Sequence, residues 1–345
     1  MERLTVSKVL FLLFVLIIMF NMSCNTYDPP PGSGKGPDLT FLIPYNFLTE
    51  GKLVFYSYSV FSAHIFCFTV YVIDINQQKS WQCFSDEPSV SSDGKNILYH
   101  PLISTKSGGV SSDDIFVSNI DGLYPVQICD LDGHWPSWTP DGSQILFFTG
   151  SSTYYTFHAK YLYRQSPVSN PTDRVLVADF SQSPEQLVPA GPISLSVSGK
   201  YVMSCKGIYT FETGGTNYSK IIPLSTDSQY FYSPKWSLDG TKLALISTLK
   251  VPKQKLTKFS VISFSADGTQ PDTLYNVIYD NGGYFSYEDS NSGLMGDTPS
   301  LCWSPDGKQI AFTNELSKIY VVNTDHSGYK LVVDMKGNGF LSWGK

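Results

Sequence analysis

The sequence predicts an all-β fold: a six-bladed β-propeller of four-stranded antiparallel blades, its ring closed by the C-terminal strand joining the N-terminal blade. Three observations carry that prediction. A strand–Asp-Gly–strand unit recurs along the chain, and aromatic and β-branched strands follow each copy. The two ends of the repeat region hold complementary halves of one unit. Composition agrees, because 22 Tyr, 22 Phe and 6 Trp beside 27 Gly and 21 Pro favour strands and turns over helices.

The first element is an address. Arg3 and Lys8 precede Val9–Phe20, an apolar run too short to span a membrane and of the length of a signal-peptide core. Asn21-Met22-Ser23-Cys24 follows, then the Pro/Gly-rich stretch Asp28–Gly34. This arrangement resembles a bacterial lipoprotein signal, with Asn21 standing where that pattern usually has Leu. The resemblance implies a signal peptide at 1–23, a diacylglycerol on the Cys24 thiol, cleavage before Cys24 and acylation of the new amino group. It implies export and anchoring to a membrane of the cell envelope. Asn25 is not the Asp that marks inner-membrane retention, so the outer membrane is expected. The expected organisation is therefore signal peptide 1–23, lipidated Cys and flexible tether 24–48, and propeller 49–345.

The blades follow in order. Gly51-Lys52-Leu53-Val54-Phe55-Tyr56 is the second half of a repeat without its first half. Pro88–Tyr99, Pro136–Phe147, Ile193–Met203, Pro234–Leu245 and Cys302–Phe312 each read as strand, tight turn, strand. The third strands are Tyr71–Asp74, Ile115–Ser118, Tyr161–Tyr163, Ile208–Phe211, Phe259–Ile262 and Ile319–Val322. Leu341-Ser342-Trp343-Gly344-Lys345 is a first half without its second, so joining the ends completes one blade and leaves no open sheet edge in the ring.

Units such as Trp303-Ser304-Pro305-Asp306-Gly307-Lys308-Gln309-Ile310-Ala311-Phe312, followed by Ile319-Tyr320-Val321-Val322-Asn323, look like the TolB-type propeller repeat. The resemblance covers nearly all of the chain after Cys24. It is specific for fold and weak for function, because such repeats serve scaffolds, peptidase accessory domains and other lipoproteins. TolB carries an additional α/β domain before its propeller, for which the stretch between Cys24 and the first strand leaves no room.

With strands labelled a to d outward, the a–b and c–d turns share one face and the b–c and d–a loops the other. The long excursions His100–Asp113, Thr149–Lys160 and Asp280–Thr298 all fall on the b–c/d–a face. Tyr154, Tyr155, Phe157 and His158 lie in one of them; Tyr284, Phe285, Tyr287, Glu288 and Asp289 lie in another. Aromatics beside acids suit protein hot spots or sugar stacking, and equally suit loops that fold back as small cores or extra strands. His134, Trp135 and Tyr232, just upstream of a-strands, are candidates at the channel mouth of that face.

Aligning the repeats at the position before the Trp gives Ser342, Ser89, Ser137, Ser194, Lys235 and Cys302. Such a ring either lines a water-filled channel, with Lys235 its only charge, or supplies the small side chains that tight blade packing needs.

Catalytic signatures are thin. No Gly-x-Ser-x-Gly elbow, HExxH or P-loop occurs. Ser92-x-x-Lys95 spans an Asp-Gly turn and arises from the repeat itself. Asp130-Leu131-Asp132-Gly133 is half a calcium loop without its remaining ligands. Five scattered His in the whole chain show no paired spacing, so no metal site or cofactor is expected. Cys67, Cys83, Cys129, Cys205 and Cys302 fit neither a zinc site nor a disulfide framework; Cys67 and Cys83 are the candidate pair in an oxidising compartment. A net charge of −6 without a basic run gives no footprint for nucleic acid. The expectation is a non-enzymatic, membrane-anchored envelope propeller that binds a protein or peptidoglycan-associated partner through the b–c/d–a face. The alternative is a glycan-binding or carbohydrate-active propeller using acids such as Asp86, Glu87, Glu288 or Asp289.

Overall fold

The structure is a computed structural model. It describes residues 43–62, 65–83, 86–100, 114–129, 133–152, 157–168, 172–183, 187, 189, 191–251, 256–280, 299–314, 318–334 and 338–345. The strands form six four-stranded antiparallel sheets. The first takes β1 (Lys52–Ser62), β2 (Ile65–Asp74) and β3 (Lys79–Cys83). The second is β4 (Asp86–Val90), β5 (Asn96–His100), β6 (Ile115–Asn119) and β7 (Val126–Cys129). The third is β8 (His134–Trp138), β9 (Ile145–Ser152), β10 (Phe157–Gln165) and β11 (Val175–Asp179). The fourth is β12 (Ser194–Leu195), β13 (Tyr201–Cys205), β14 (Gly207–Glu212) and β15 (Thr216–Ile222). The fifth is β16 (Gln229–Trp236), β17 (Lys242–Val251), β18 (Leu256–Ser265) and β19 (Asp272–Asp280). The sixth is β20 (Leu301–Trp303), β21 (Gln309–Thr313), β22 (Ile319–Asn323) and β23 (Tyr329–Val333), after which β24 (Asn338–Gly344) returns to the first sheet.

The core lies between the sheets. Successive residues of a strand point to opposite faces, and the second strand of every blade is apolar on both. Ile97 packs toward the first blade and Leu98 toward the third; Ile145 and Leu146, Val202 and Met203, Leu243 and Ala244, and Ile310 and Ala311 divide in the same way. Each apolar cluster therefore fills one seam between neighbouring blades. A blade cut from the ring would expose both faces, so the blades are stable only as neighbours.

Closure follows the pairing expected from the chain ends. β24 runs antiparallel to β1 with Leu53 opposite Trp343 and Val54 opposite Ser342. The Trp343 indole donates to the Glu50 carbonyl at 2.7 Å, and the Lys345 amide donates to the Ser92 carbonyl of the next blade at 3.1 Å. Trp343 thus fastens the closing strand within blade one, and Lys345 ties that blade to blade two.

The packed chain begins earlier than the expected boundary at 49. Ile43 and Leu48 are buried in the seam between blades six and one. The buried Gln309 side chain donates to the Phe47 carbonyl at 2.7 Å and accepts the Thr49 amide at 2.9 Å. Thr149–Lys160, read from sequence as a long excursion that either stays a loop or folds back into extra strands, takes the strand form at its two ends. β9 continues to Ser152 and β10 starts at Phe157, with Phe157 opposite Ser152 and His158 opposite Ser151. Thr149 and Phe157 at these ends favour a pleated backbone.

Gly94 makes closure testable. It sits at φ +69°, and a Cβ there would lie 1.6 Å from the Lys345 carbonyl oxygen. Gly199, the equivalent turn residue of blade four, has φ +85° and no atom near the corresponding point. Gly199→Ala should cost about 1 kcal/mol, the strain of a left-handed residue alone. Gly94→Ala should cost at least about 1 kcal/mol more in urea unfolding, because it also displaces the closing strand. Equal losses would contradict the contact.

Candidate functional site

The innermost strands surround the ring axis, and their a–b turns are built from one device. In blade three the Thr139 hydroxyl donates to Asp141 Oδ1 at 2.6 Å and accepts the Gln144 amide at 3.0 Å, while Ser143 donates to the same carboxylate through both its amide and its hydroxyl. Ser91/Asp93, Ser237/Asp239 and Ser304/Asp306 repeat this geometry in blades two, five and six. Blade four replaces the acid with Ser198, whose hydroxyl lies 2.9 Å from that of Ser196. Hydroxyl and amide donors favour the charged carboxylate. The Thr139 and Ser143 bonds hold Asp141 below the ordinary carboxylate range, and Ser237 and Thr241 do the same for Asp239. At Asp93, partial burial pulls upward, but the Ser91 hydroxyl, the Lys95 amide and the Lys95 charge outweigh it.

These turns frame a recess of about 300 Å³ at the channel mouth. Pro140, Val197 and Leu238 make an apolar wall; Ser92, Asp93, Asp141 and Lys345 complete the rim. It lies on the a–b turn face, opposite to the face on which the sequence placed the functional loops. At the other mouth the described residues enclose a small void of about 20 Å³, lined by Tyr232, Ser233, Phe340, Ser300 and neighbours.

The sequence-predicted residues divide into three groups. Cys24, Tyr154, Tyr155, Tyr284, Phe285, Tyr287, Glu288, Asp289 and most of the calcium-loop fragment lie outside the described residues. Phe157 and His158 stand on β10, and Asp86 and Glu87 on β4, with their side chains outside the description, as are those of Cys67 and Cys83. The third group is in view. Tyr232 and His134 lie within inner strands and are buried at 6% exposure each, and Tyr232 lines the small void at that mouth. Trp135 stacks edge-to-face on Phe148 at 5.5 Å.

The ring positions sit on the inner strands, and some of their side chains join the seams. Ser342 Oγ accepts the Val90 amide at 3.0 Å, and Ser194 Oγ accepts the Trp236 amide at 3.2 Å. The carbonyls of Ser89 and Lys235 accept the indoles of Trp138 and Trp303, both at 3.0 Å. Cys302 is buried and its thiol pushed well up by that burial, so it stays protonated.

Two features escaped the sequence. Trp135, Ser233 and Phe340 adopt left-handed backbone at φ 52°, 48° and 41°, each two residues before a ring position. Bulges fall at the same places in β8, β16 and β24. Pro136 and Pro234 were the available signal, since proline inside a sheet marks a bulge or an edge. The other feature is a histidine pair. His100 ends β5 and His134 begins β8, and their buried rings stack with centroids 6.2 Å apart. Only the register of adjacent blades brings them together. Among the described residues no three His, Cys, Asp or Glu side chains group as metal ligands.

No family model matches the chain, and no curated protein does. Solved structures do. A protein from Agrobacterium tumefaciens assigned to TolB aligns at TM-score 0.50 and 13% identity, covering 84% of this chain and 91% of its own. The fold is that of a TolB-like six-bladed propeller. Oligogalacturonate lyase from Vibrio parahaemolyticus aligns at TM-score 0.46 and 10% identity over 83% of this chain and 87% of its own. The propeller domain of the Trilobed protease from Pyrococcus furiosus aligns at 0.43 and 13% over 83% and 82%. At these identities the TolB-like match speaks for architecture alone.

Lys235 gives the site a pH signature. Burial pushes its ammonium down to about 8 from the usual 10.5. Below pH 8 the folded protein carries a partly desolvated charge at a cost; between 8 and 10.5 mainly the unfolded chain holds that proton, so stability rises with pH. Relative to Lys235→Ser, the wild type should gain at most about 2 kcal/mol between pH 7.5 and pH 10, solvent screening the partly exposed side chain. Urea unfolding at pH 7.5 and pH 10 measures it, and a difference that does not change with pH would contradict the desolvation.

Proposed function

We propose that the protein is a non-enzymatic binding propeller, anchored to the bacterial outer membrane through lipidated Cys24, that presents its turn-face mouth to a protein partner of the cell envelope. One observation carries this most. The recess is a concave surface with room for a side chain or short segment, and its apolar wall of Pro140, Val197 and Leu238 would receive one. Its acids point away from catalysis. Asp93 and Asp141 are held ionised by donors within their own turns, whereas a general acid at neutral pH needs its pKa raised. Such carboxylates set a negative rim that selects partners by charge.

No helix among the described residues is long and apolar enough to cross a membrane, so attachment in this proposal rests on the acyl chains. Replacing Cys24 with Ala should release the protein from the membrane fraction and abolish incorporation of labelled palmitate.

In-cell crosslinking tests the partner. Wild type should capture a discrete envelope protein, and Leu238→Glu, which places a charge on the apolar wall, should reduce recovery at least about tenfold. A variant shortened within residues 281–298 should capture normally. The reverse pattern would move the interface to the b–c/d–a face, and capture unaffected by either change would refute docking at both mouths.

A further inference from the structure

The outer edge of the fifth blade is unlike those of the other five. β19 is the outermost strand of its sheet, and among the described residues no strand pairs with its outer side. It is nine residues long, whereas β3, β7, β11, β15 and β23 have four to seven. Exposed edges invite pairing, and short length, bulges and lysines ordinarily blunt them. Lys79, Lys220 and Lys330 stand on β3, β15 and β23, and register shifts interrupt the short ladders that hold β7 and β11. β19 carries no Lys, Arg or Pro. Its own register shift lies near its start, so residues 275–280 run opposite residues 256–261 as six pairs in unbroken register. Within this stretch Ile278 is 63% exposed, with Asn276 and the cross-strand Lys258 exposed beside it.

An outermost strand turns its backbone outward, and what extends such a sheet is another strand. The sequence of β19 indicates which one. About Asn276, residues 273–279 mirror themselves: Leu274 stands against Ile278, Tyr275 against Val277 and Thr273 against Tyr279. A two-fold strand pair sets each residue opposite its mirror in the second copy, so it requires such self-complementarity. We propose that β19 pairs antiparallel with β19 of a second copy of this chain, centred on Asn276, and joins two blades into one eight-stranded sheet. Ile278 then leaves water against Leu274 of the partner subunit, with opposed backbones about 4.5–5.5 Å apart. The two Asn276 side chains meet at the axis, where each amide donates to the other's carbonyl. On the opposite face Tyr275 stays packed on Phe312 and Tyr329 at 4.8 and 4.9 Å, which holds the strand in place before it pairs. Asp272 and Asp280 of opposite copies oppose each other at the two ends, so the association is weak and reversible. This edge is on the outer rim of the ring, and its pairing depends on neither the turn-face recess nor the lipid.

Sedimentation velocity of the full chain over about a hundredfold range of concentration tests it. Wild type should shift reversibly from monomer to dimer. Ile278→Lys, a change at an exposed position, should leave Tm unaltered and raise the dimer Kd at least about tenfold. Leu331→Lys, on the edge of β23, should dimerise as wild type does. Hydrogen exchange at the two ends of the concentration range should show β19 amides slowed in the dimer and β11 amides unchanged. A wild type that stays monomeric throughout would overturn self-pairing and leave the edge to a strand of another protein. A dimer that survives Ile278→Lys, or whose newly protected amides lie outside β19, would overturn it as well. Leu238→Glu should not alter the dimer and Ile278→Lys should not alter partner capture, so the docking surface and this pairing fail separately.

Discussion

The structure depends on apolar burial between blades rather than within them. A single four-stranded sheet here is greasy on both faces, and only a neighbour on each side removes that surface from water. An open row of such sheets would leave two apolar faces bare at its ends. The ring has none because β24 completes the first blade, and a buried Trp343 and the Lys345 amide then tie that blade to its neighbours. Closure is thus the condition on which every seam rests.

The same condition shapes the axis. Six inner strands converging on one line leave room only for small residues facing the next blade, and Ser hydroxyls at two of those positions cap the neighbouring strand's amides. The turns that end these strands need a tight reversal, which the hydroxyl–Asp–Gly device provides while consuming its own polar groups. Lys235 departs from this economy, being large and charged where the rest are small and neutral.

Much of this was legible in the chain. Asp-Gly turns between apolar strands identify hairpins locally, so strand order and the third strands of all six blades followed from spacing alone. Closure was legible because Leu341–Lys345 and Gly51–Tyr56 are halves of one pattern. Other features depend on three-dimensional register. His100 and His134 are far apart in any linear motif and meet only across a seam. The left-handed residues at Trp135 and Ser233 were marked by the prolines that follow them, a weaker signal than a glycine would give. The sequence drew attention to loop length and hence to the b–c/d–a face, whereas the recess is made by the shortest turns, whose individual residues look purely structural. Packing from Ile43 onward was hidden because a few apolar residues before a repeat resemble a tether.

Native-state hydrogen exchange tests closure most directly. If the ring is one cooperative unit, the amides of Leu53 and Val54 in β1 and of Trp343 in β24 should exchange only with global unfolding, at the same free energy as Leu245 in β17 and Phe147 in β9. Exchange of the β24 amides at a free energy several kcal/mol lower, with the remaining blades still protected, would show that the ring holds without its closing strand and would contradict the account.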